Sequence, residues 1–207
     1  VQLGMPYGLG GLEPPSPEDA VGLLREAFEH GITYIDTAPG YGCSETLVGK
    51  AFGDMVEKPV IATKVNLPED YVAEGLEAQL EASLCNSMRE LCLDHLVLVQ
   101  LHSIQGPFVN EALLRALENL HTKGLVSHWG VTAYGTEAPL EAQRFPEYFR
   151  VLQVPYNMLD RDLDKILFPQ MQQQSIGLVL RSVFLQGILS ERYLGLGPQL
   201  ASLKEAA

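Results

Sequence analysis

The chain contains the stretch Gly31-Ile-Thr-Tyr-Ile-Asp-Thr-Ala-Pro-Gly-Tyr-Gly-Cys-Ser-Glu45. Within it, residues 32–36 form a short apolar run that ends on the carboxylate of Asp36, and Tyr41 follows five positions later. Apolar runs of this length are typical of strands that are buried on both faces of a parallel sheet. The stretch therefore predicts a strand that delivers two proton-holding side chains to its carboxyl end.

Two later apolar runs end in the same way. Residues 60–64 close on Lys64, and the strand predicted at residues 95–101 leads into His102. In α/β folds, ligands bind at the carboxyl ends of parallel strands. If these strands are parallel neighbours, the carboxylate, phenol, ammonium and imidazole converge, and the pattern predicts an active site.

Strand and helix patterns alternate along the whole chain. Strands are predicted at residues 1–5, 32–36, 60–64, 95–101, 126–131, 151–155 and 176–182, and helices at 18–30, 44–52, 69–91, 110–123, 138–145 and 163–174. This alternation predicts an α/β fold, either a doubly wound sheet or a (βα) barrel. No linker, repeat or low-complexity tract divides the 207 residues, so one domain over residues 1–207 is expected.

Composition and charge exclude several classes of partner. The formal net charge is −12 and no basic patch is visible, which argues against nucleic acid and anionic membrane surfaces. No apolar run approaches the roughly 18–20 residues of a membrane span. The glycine-rich residues 8–11 lack the context of a dinucleotide fingerprint and are interpreted as a flexible loop.

The three cysteines, Cys43, Cys85 and Cys92, are odd in number and lack metal-binding spacing. They are predicted to be buried small hydrophobic residues in a reducing cytosol, with no metal site. A cytoplasmic location is therefore expected.

The four side chains suit the reduction of a carbonyl group. A tyrosine with a pKa near 10 is a poor acid, and a neighbouring Lys64 ammonium would lower the pKa of Tyr41. Asp36 would hold that ammonium in place, and His102 would orient the carbonyl. The hydride must come from a cofactor, because no side chain supplies one. Taken singly, each residue has a structural alternative: a turn cap, a half-buried aromatic ring, a snorkelling strand end and a core histidine.

In order and spacing, these residues resemble the aldo-keto reductase superfamily. The likeness rests on the opening stretch, on Ile-Ala-Thr-Lys64-Val and on Leu-Val-Gln-Leu-His102. It continues in Gly124-Leu-Val-Ser-His-Trp-Gly-Val-Thr132, in Val151-Leu-Gln-Val-Pro-Tyr-Asn157 and in Arg181-Ser-Val-Phe-Leu-Gln-Gly187. The resemblance implies a (β/α)8 TIM barrel that binds NADP(H), or less often NAD(H), and acts on a small carbonyl compound. It makes Tyr41 the general acid.

The resemblance also implies a set of cofactor-binding residues. Thr132 and Gln153 match positions that contact the nicotinamide carboxamide, and Ser182 would line the pyrophosphate path. Arg181 stands where many members stack a tyrosine on the nicotinamide, and a guanidinium can also stack on a ring. Ala133 replaces the asparagine that usually follows Thr132.

Seven strand candidates are fewer than a closed barrel of eight requires, so an incomplete barrel that lacks its eighth strand is expected. The likeness also implies that a segment gripping the adenosine 2′-phosphate is missing, and that residues 194–207 do not supply it. An open barrel would expose strand edges and apolar surface, which predicts oligomerisation through that edge or instability.

Three functions remain open from the sequence. The first is an NAD(P)H-dependent reductase of aldehydes or ketones. The second is a non-catalytic, cofactor-sensing relative. The third is a barrel aldolase in which Lys64 forms a Schiff base.

Overall fold

Six parallel strands and the helices between them make up the structure, a computed structural model that describes residues 3–8, 13–68 and 73–191. The strands form one sheet in sequence order: β1 (Tyr34–Asp36), β2 (Val60–Val65), β3 (Leu96–Ile104), β4 (Val126–Ala133), β5 (Phe149–Pro155) and β6 (Gly177–Arg181). The helices are α1 (Pro17–Glu29), α2 (Ser44–Phe52), α3 (Ala73–Leu91), α4 (Glu111–Thr122), α5 (Glu137–Ala142) and α6 (Phe168–Gln174). The predicted α/β class is confirmed.

The sheet is curled into part of a barrel. The side-chain amide of Gln153 on β5 donates a hydrogen bond of 3.1 Å to Asp36 on β1. In a flat sheet with strands about 4.8 Å apart, these two strands would lie roughly 19 Å from each other. The hydrogen bond therefore requires a strongly curved sheet with polar side chains on its concave face, which favours the (β/α) barrel over the doubly wound sheet.

Helix α4 illustrates how the helices cover the outside of this arc. The side chain of Asn110 caps its start by accepting a hydrogen bond of 2.9 Å from the backbone N–H of Leu113. Its buried residues recur at helical spacing and are Leu113, Ala116, Leu117 and Leu120. This apolar stripe packs into the hydrophobic core against the strands, and the polar remainder of the helix faces solvent.

The strand predicted at residues 1–5 is wrong for the residues that the structure describes there. Gly4 forms an isolated parallel bridge with Gly42, and residues 1–2 lie outside the described chain. The described part therefore contains six strands where seven candidates were expected. Within it, β1 and β6 each pair with one strand only, and the exposed side chains of Val183 and Phe184 follow β6.

Two helix predictions need correction. The helix expected at residues 69–91 has its first four residues outside the described chain, and α3 is interrupted at Glu74 and Gly75, where Gly75 has φ +86°. The helix expected at residues 163–174 begins only at Phe168, with Pro169 in its first turn. Proline is tolerated there because the first-turn N–H groups have no partner inside the helix.

The predicted burial of the three cysteines is wrong, because all of them are exposed free thiols.

Of the loop expected at residues 8–11, only Gly8 is described, and it lies in a turn; residues 194–207 are also outside the described chain. The described helices include none that is long and apolar enough to cross a membrane. Across the same residues, no group of three or more histidine, cysteine, aspartate or glutamate side chains is placed to hold a metal ion.

Candidate functional site

An ion pair occupies the concave face of the arc. Lys64 near the end of β2 places its Nζ 2.5 Å from Asp36 Oδ2, and the same ammonium donates to the carbonyl oxygen of Thr37 at 2.9 Å. The Lys64 side chain is 1% exposed, compared with 21% for Asp36. This arrangement disfavours the Schiff-base hypothesis, because the amine is bonded twice and shielded from any substrate.

The second oxygen of Asp36 accepts hydrogen bonds from two glutamine amides. Gln100 Nε2 on β3 lies 2.8 Å from Asp36 Oδ1, and Gln153 Nε2 on β5 lies 3.1 Å from it. Gln100 is opposite Lys64 in the register of β2 and β3. Gln100 was not predicted as a site residue, although it is a single polar residue inside the apolar run of β3. These amides hold the carboxylate at the centre of the site.

Tyr41 and His102 lie beside the ion pair. Their ring centroids are 5.9 Å apart with an interplanar angle of 82°, an edge-on contact. Lys64 Nζ is 4.8 Å from the centroid of the Tyr41 ring, a cation–π distance. The structure therefore brings together Asp36, Tyr41, Lys64 and His102, which sequence analysis selected from separate strand ends.

Burial sets the protonation of these groups. Desolvation, together with the negative charge of Asp36, raises the pKa of Tyr41 to about 12. The expectation that the lysine would lower this pKa is wrong, because the Lys64 ammonium is already paired with Asp36. Among the groups that act on Tyr41, the cation that opposes the rise is Arg181. At neutral pH Tyr41 therefore carries its proton.

His102 has the opposite shift. Burial, followed by the positive charge of Lys64, lowers the pKa of His102 to about 4, so the ring is neutral at pH 7. Burial also lowers the pKa of Lys64, and the adjacent Asp36 opposes that effect. A neutral imidazole beside a protonated phenol can orient a carbonyl oxygen without competing as a charged acid.

The predicted cofactor-binding residues border the same cleft, which has a volume of about 700 Å³. Its lining residues come from five strands and from four segments outside the strands: Tyr7, Tyr34, Asp36, Tyr41, His102, Ser103, Thr132, Tyr134, Gln153, Val179, Leu180, Arg181, Ser182 and Gln186. Thr132 and Gln153 are paired in the register of β4 and β5, and both are buried. The structure thus brings both predicted sets together.

The hydrogen bonds of the cofactor candidates leave capacity for a ligand. The hydroxyl oxygen of Thr132 accepts a bond of 3.1 Å from the backbone N–H of Ser103, which leaves its own hydrogen to donate. Gln153 uses its amide nitrogen on Asp36, and its carbonyl oxygen is the complementary acceptor. The guanidinium of Arg181 is stacked on the ring of Tyr134, with 4.0 Å between Cζ and the ring centroid.

Backbone strain and unpaired polar atoms also mark the cleft. Ser103, Ser182 and Gln186 all have left-handed φ values, of 57°, 59° and 57°. Non-glycine residues in this region cost roughly 1–3 kcal/mol each and cluster at functional sites. Of the atoms the structure describes, the buried hydroxyl of Tyr34 and the buried Oε1 of Gln100 have no hydrogen-bond partner. This strain could not be predicted from the sequence, because serine and glutamine are not typical of left-handed backbone positions.

Comparison with known proteins assigns the chain to a family. The model of the aldo/keto reductase family matches residues 2–204. The chain belongs to this family. Aldo-keto reductase YhdN of Bacillus subtilis is 26% identical over 178 residues, which cover 83% of this chain and 54% of that protein. L-glyceraldehyde 3-phosphate reductase of Escherichia coli is 26% identical over 218 residues, covering 96% of this chain and 62% of the relative.

Solved aldo-keto reductases share the fold. An aldo/keto reductase from Klebsiella pneumoniae, solved in complex with NADP and acetate, is 27% identical with a TM-score of 0.73; the match covers 92% of this chain and 67% of that one. The holo form of an aldo-keto reductase from Bacillus halodurans is 25% identical with a TM-score of 0.71, over 91% of this chain and 64% of that one. This chain therefore spans little more than half the length of the curated relatives described above.

Proposed function

We propose that this chain is an NADP(H)-dependent oxidoreductase that reduces an aldehyde or ketone to an alcohol, with Tyr41 as the general acid. The observation that carries the proposal is the edge-on contact of Tyr41 with His102 beside the buried pair of Asp36 and Lys64. Family membership and the NADP-bound relative from Klebsiella pneumoniae support the cofactor.

The cleft fits the carboxamide end of a nicotinamide. A carboxamide needs a hydrogen-bond donor for its oxygen and an acceptor for its N–H groups. The hydroxyl of Thr132 and the side-chain carbonyl of Gln153 supply these from neighbouring strands. Ser182 and Arg181 stand at the end of β6 on the same cleft and would line the rest of this side. When bound, the reduced nicotinamide supplies the hydride.

The catalytic side chains have separate roles in the transfer of the proton. Tyr41 holds its proton at neutral pH and donates it to the carbonyl oxygen of the substrate as negative charge develops there. Neutral His102 donates an N–H to the same oxygen and fixes its position. Arg181 is the cation that favours the phenolate that remains. The Lys64 ammonium lies 4.8 Å from the Tyr41 ring and is held in place by Asp36.

The decisive experiment compares the chain with its Tyr41→Phe variant. Purified protein is mixed with NADPH and a panel of aldehydes, and loss of nicotinamide absorbance is followed. Removal of a general acid typically costs 10²- to 10⁴-fold, and we expect a loss in that range. Tyr148→Phe is the matched control, since Tyr148 precedes β5 at the opposite end of the barrel and should leave turnover unchanged.

Two results would contradict the proposal. Turnover that survives in Tyr41→Phe would remove the phenol from its role as acid. A folded wild-type chain that binds NADPH but reduces none of the aldehydes would favour the non-catalytic, cofactor-sensing alternative.

A further inference from the structure

The guanidinium of Arg181 is held in a fixed orientation inside the cleft. Its Cζ lies 4.0 Å from the centroid of the Tyr134 ring, its Nη2 donates to the carbonyl oxygen of Ala133 at 3.2 Å, and its Nη1 is 3.4 Å from Ser182 Oγ. These bonds occupy two of the five N–H donors that an arginine offers. The remaining donors belong to a side chain that lines the cleft.

No acidic side chain neutralises this arginine within the part of the chain that the structure describes. The described ion pairs do not include Arg181, and the one carboxylate among the residues lining the cleft, Asp36, is paired with Lys64. Since the ring of His102 is neutral at pH 7, the cleft carries an excess of one positive charge. The chain as a whole has a net charge of −12, so the positive charge of this cleft is opposite in sign to the net charge of the chain.

Arg181 lines the same cleft as Asp36, Tyr41 and His102. The positive charge of Arg181 contributes to lowering the pKa of Tyr41, Lys64 and His102. A half-buried cation without a carboxylate partner costs stability, and arginine in a rigid setting is suited to bidentate contact with a carboxylate or phosphate. An oxyanion in the cleft would satisfy the unused donors.

We propose that Arg181 binds the anionic group of the substrate, so that the preferred substrates are aldehydes or ketones that also carry a carboxylate or phosphate. This inference rests on the proposed function and adds the class of carbonyl compound to it. We assign the oxyanion to the substrate because Arg181 lines the same cleft as Tyr41 and His102, which receive the carbonyl oxygen. A phosphate of the cofactor is the other source of the same chemistry, and the experiment separates the two.

The test uses two aldehydes of nearly equal shape and reactivity, 4-formylbenzoate and 4-formylbenzamide. A charge-assisted hydrogen-bond pair is expected to give the wild-type chain about a 10- to 100-fold higher kcat/KM for the carboxylate. In Arg181→Met this ratio should fall close to one, and in Arg181→Lys it should be intermediate. Arg150→Met removes an exposed arginine at the amino end of β5 and should keep the wild-type ratio.

Titration of NADPH against each variant identifies the source of the oxyanion. An unchanged kcat/KM ratio in Arg181→Met, together with weaker NADPH binding, would assign Arg181 to the cofactor and overturn the proposal. A wild-type chain without preference for the carboxylate would also overturn it.

A binding measurement keeps the two proposals distinguishable. If neither aldehyde is reduced, the proposed function fails, and calorimetric titration with 4-(hydroxymethyl)benzoate and its amide then decides the inference alone. Tighter binding of the carboxylate that disappears in Arg181→Met supports the anion site; equal binding, or none, refutes it. Circular dichroism of each variant verifies that it is folded.

Discussion

Replacement of Lys64 by methionine should lower the free energy of unfolding more than the replacement of an exposed residue does. Methionine has nearly the volume of the lysine stem, so the packing around β2 is retained and the ammonium is what is lost. The half-buried carboxylate of Asp36 then keeps its two glutamine amides but loses the positive charge of the Lys64 ammonium. The carbonyl oxygen of Thr37 loses its donor as well.

The magnitude follows from the burial of the two partners. Breaking a buried ion pair typically costs 3–5 kcal/mol, whereas an exposed pair contributes about 0–1 kcal/mol. With Lys64 1% exposed and Asp36 21% exposed, the pair lies near the buried limit, and we expect a loss of about 3 kcal/mol in the free energy of unfolding. Asp36→Asn combined with Lys64→Met removes both charges, so the double variant should cost at least about 1 kcal/mol less than the sum of the single variants.

Urea unfolding followed by tryptophan fluorescence measures these differences. Trp129 is the single tryptophan of the chain and is buried on β4, so its emission reports the loss of the sheet. The matched control is Lys123→Met. Its Nζ lies 2.8 Å from Glu77 and 2.6 Å from Glu81, but the Lys123 side chain is 43% exposed, and little change in the urea midpoint is expected because solvent screens the pair.

Two outcomes would refute this reasoning. A cost below about 1 kcal/mol for Lys64→Met would mean that solvent screens the pair as it does at the surface. Strictly additive losses in the double variant would mean that the two charges are not coupled, whatever their separation.

Three further predictions concern single positions. Because the pKa of His102 is lowered to about 4 from 6.5, the unfolded chain binds a proton at higher pH than the folded chain does. Stability relative to His102→Gln should therefore fall by up to about 3 kcal/mol between pH 7 and pH 4, and by less where solvent screens the partly exposed ring, as urea midpoints would show. Gly42→Ala should cost more than about 1 kcal/mol in the same assay, because φ is +61° and the new Cβ would overlap a backbone carbonyl, while Gly40→Ala has open space. Thermal melts should show that Gly49→Ala is destabilised, because the new Cβ would overlap the backbone of α3. Gly22→Ala should be stabilised by up to about 1 kcal/mol, because alanine favours a helix more than glycine does and nothing lies near the new Cβ.

Local patterns in the sequence were sufficient to predict most of the fold. The apolar runs ending on Asp36, Lys64 and His102 marked three strands, and the residues at their ends meet because the strands are parallel neighbours. The break at Gly75 and the late start of α6 were not predicted. Apolar periodicity continues through both places, but the backbone there is not helical.

The electrostatic state of the site depends on the folded structure. Sequence spacing predicted that Lys64 lies near Tyr41, but the pKa of the phenol is set by how deeply it is buried and by Asp36 beside it. The stacking of Arg181 on Tyr134 joins the end of β6 to the residue that follows β4, 47 positions earlier, and no local pattern contains that contact. The exposure of the cysteines likewise depends on which face of each helix the strands cover.

The hydrogen bonds that Asp36 accepts have a consequence for how the protein folds. Its partners Gln100 and Gln153 lie 64 and 117 positions further along the chain. Contacts that close such long loops form late, because their entropic cost must be met before the bonds contribute. An intermediate in which only the first three strands have assembled lacks one of the amides and presents the carboxylate to water. The reactive centre is therefore completed only when the sheet has curled as far as its fifth strand, and partly folded chains do not yet contain it.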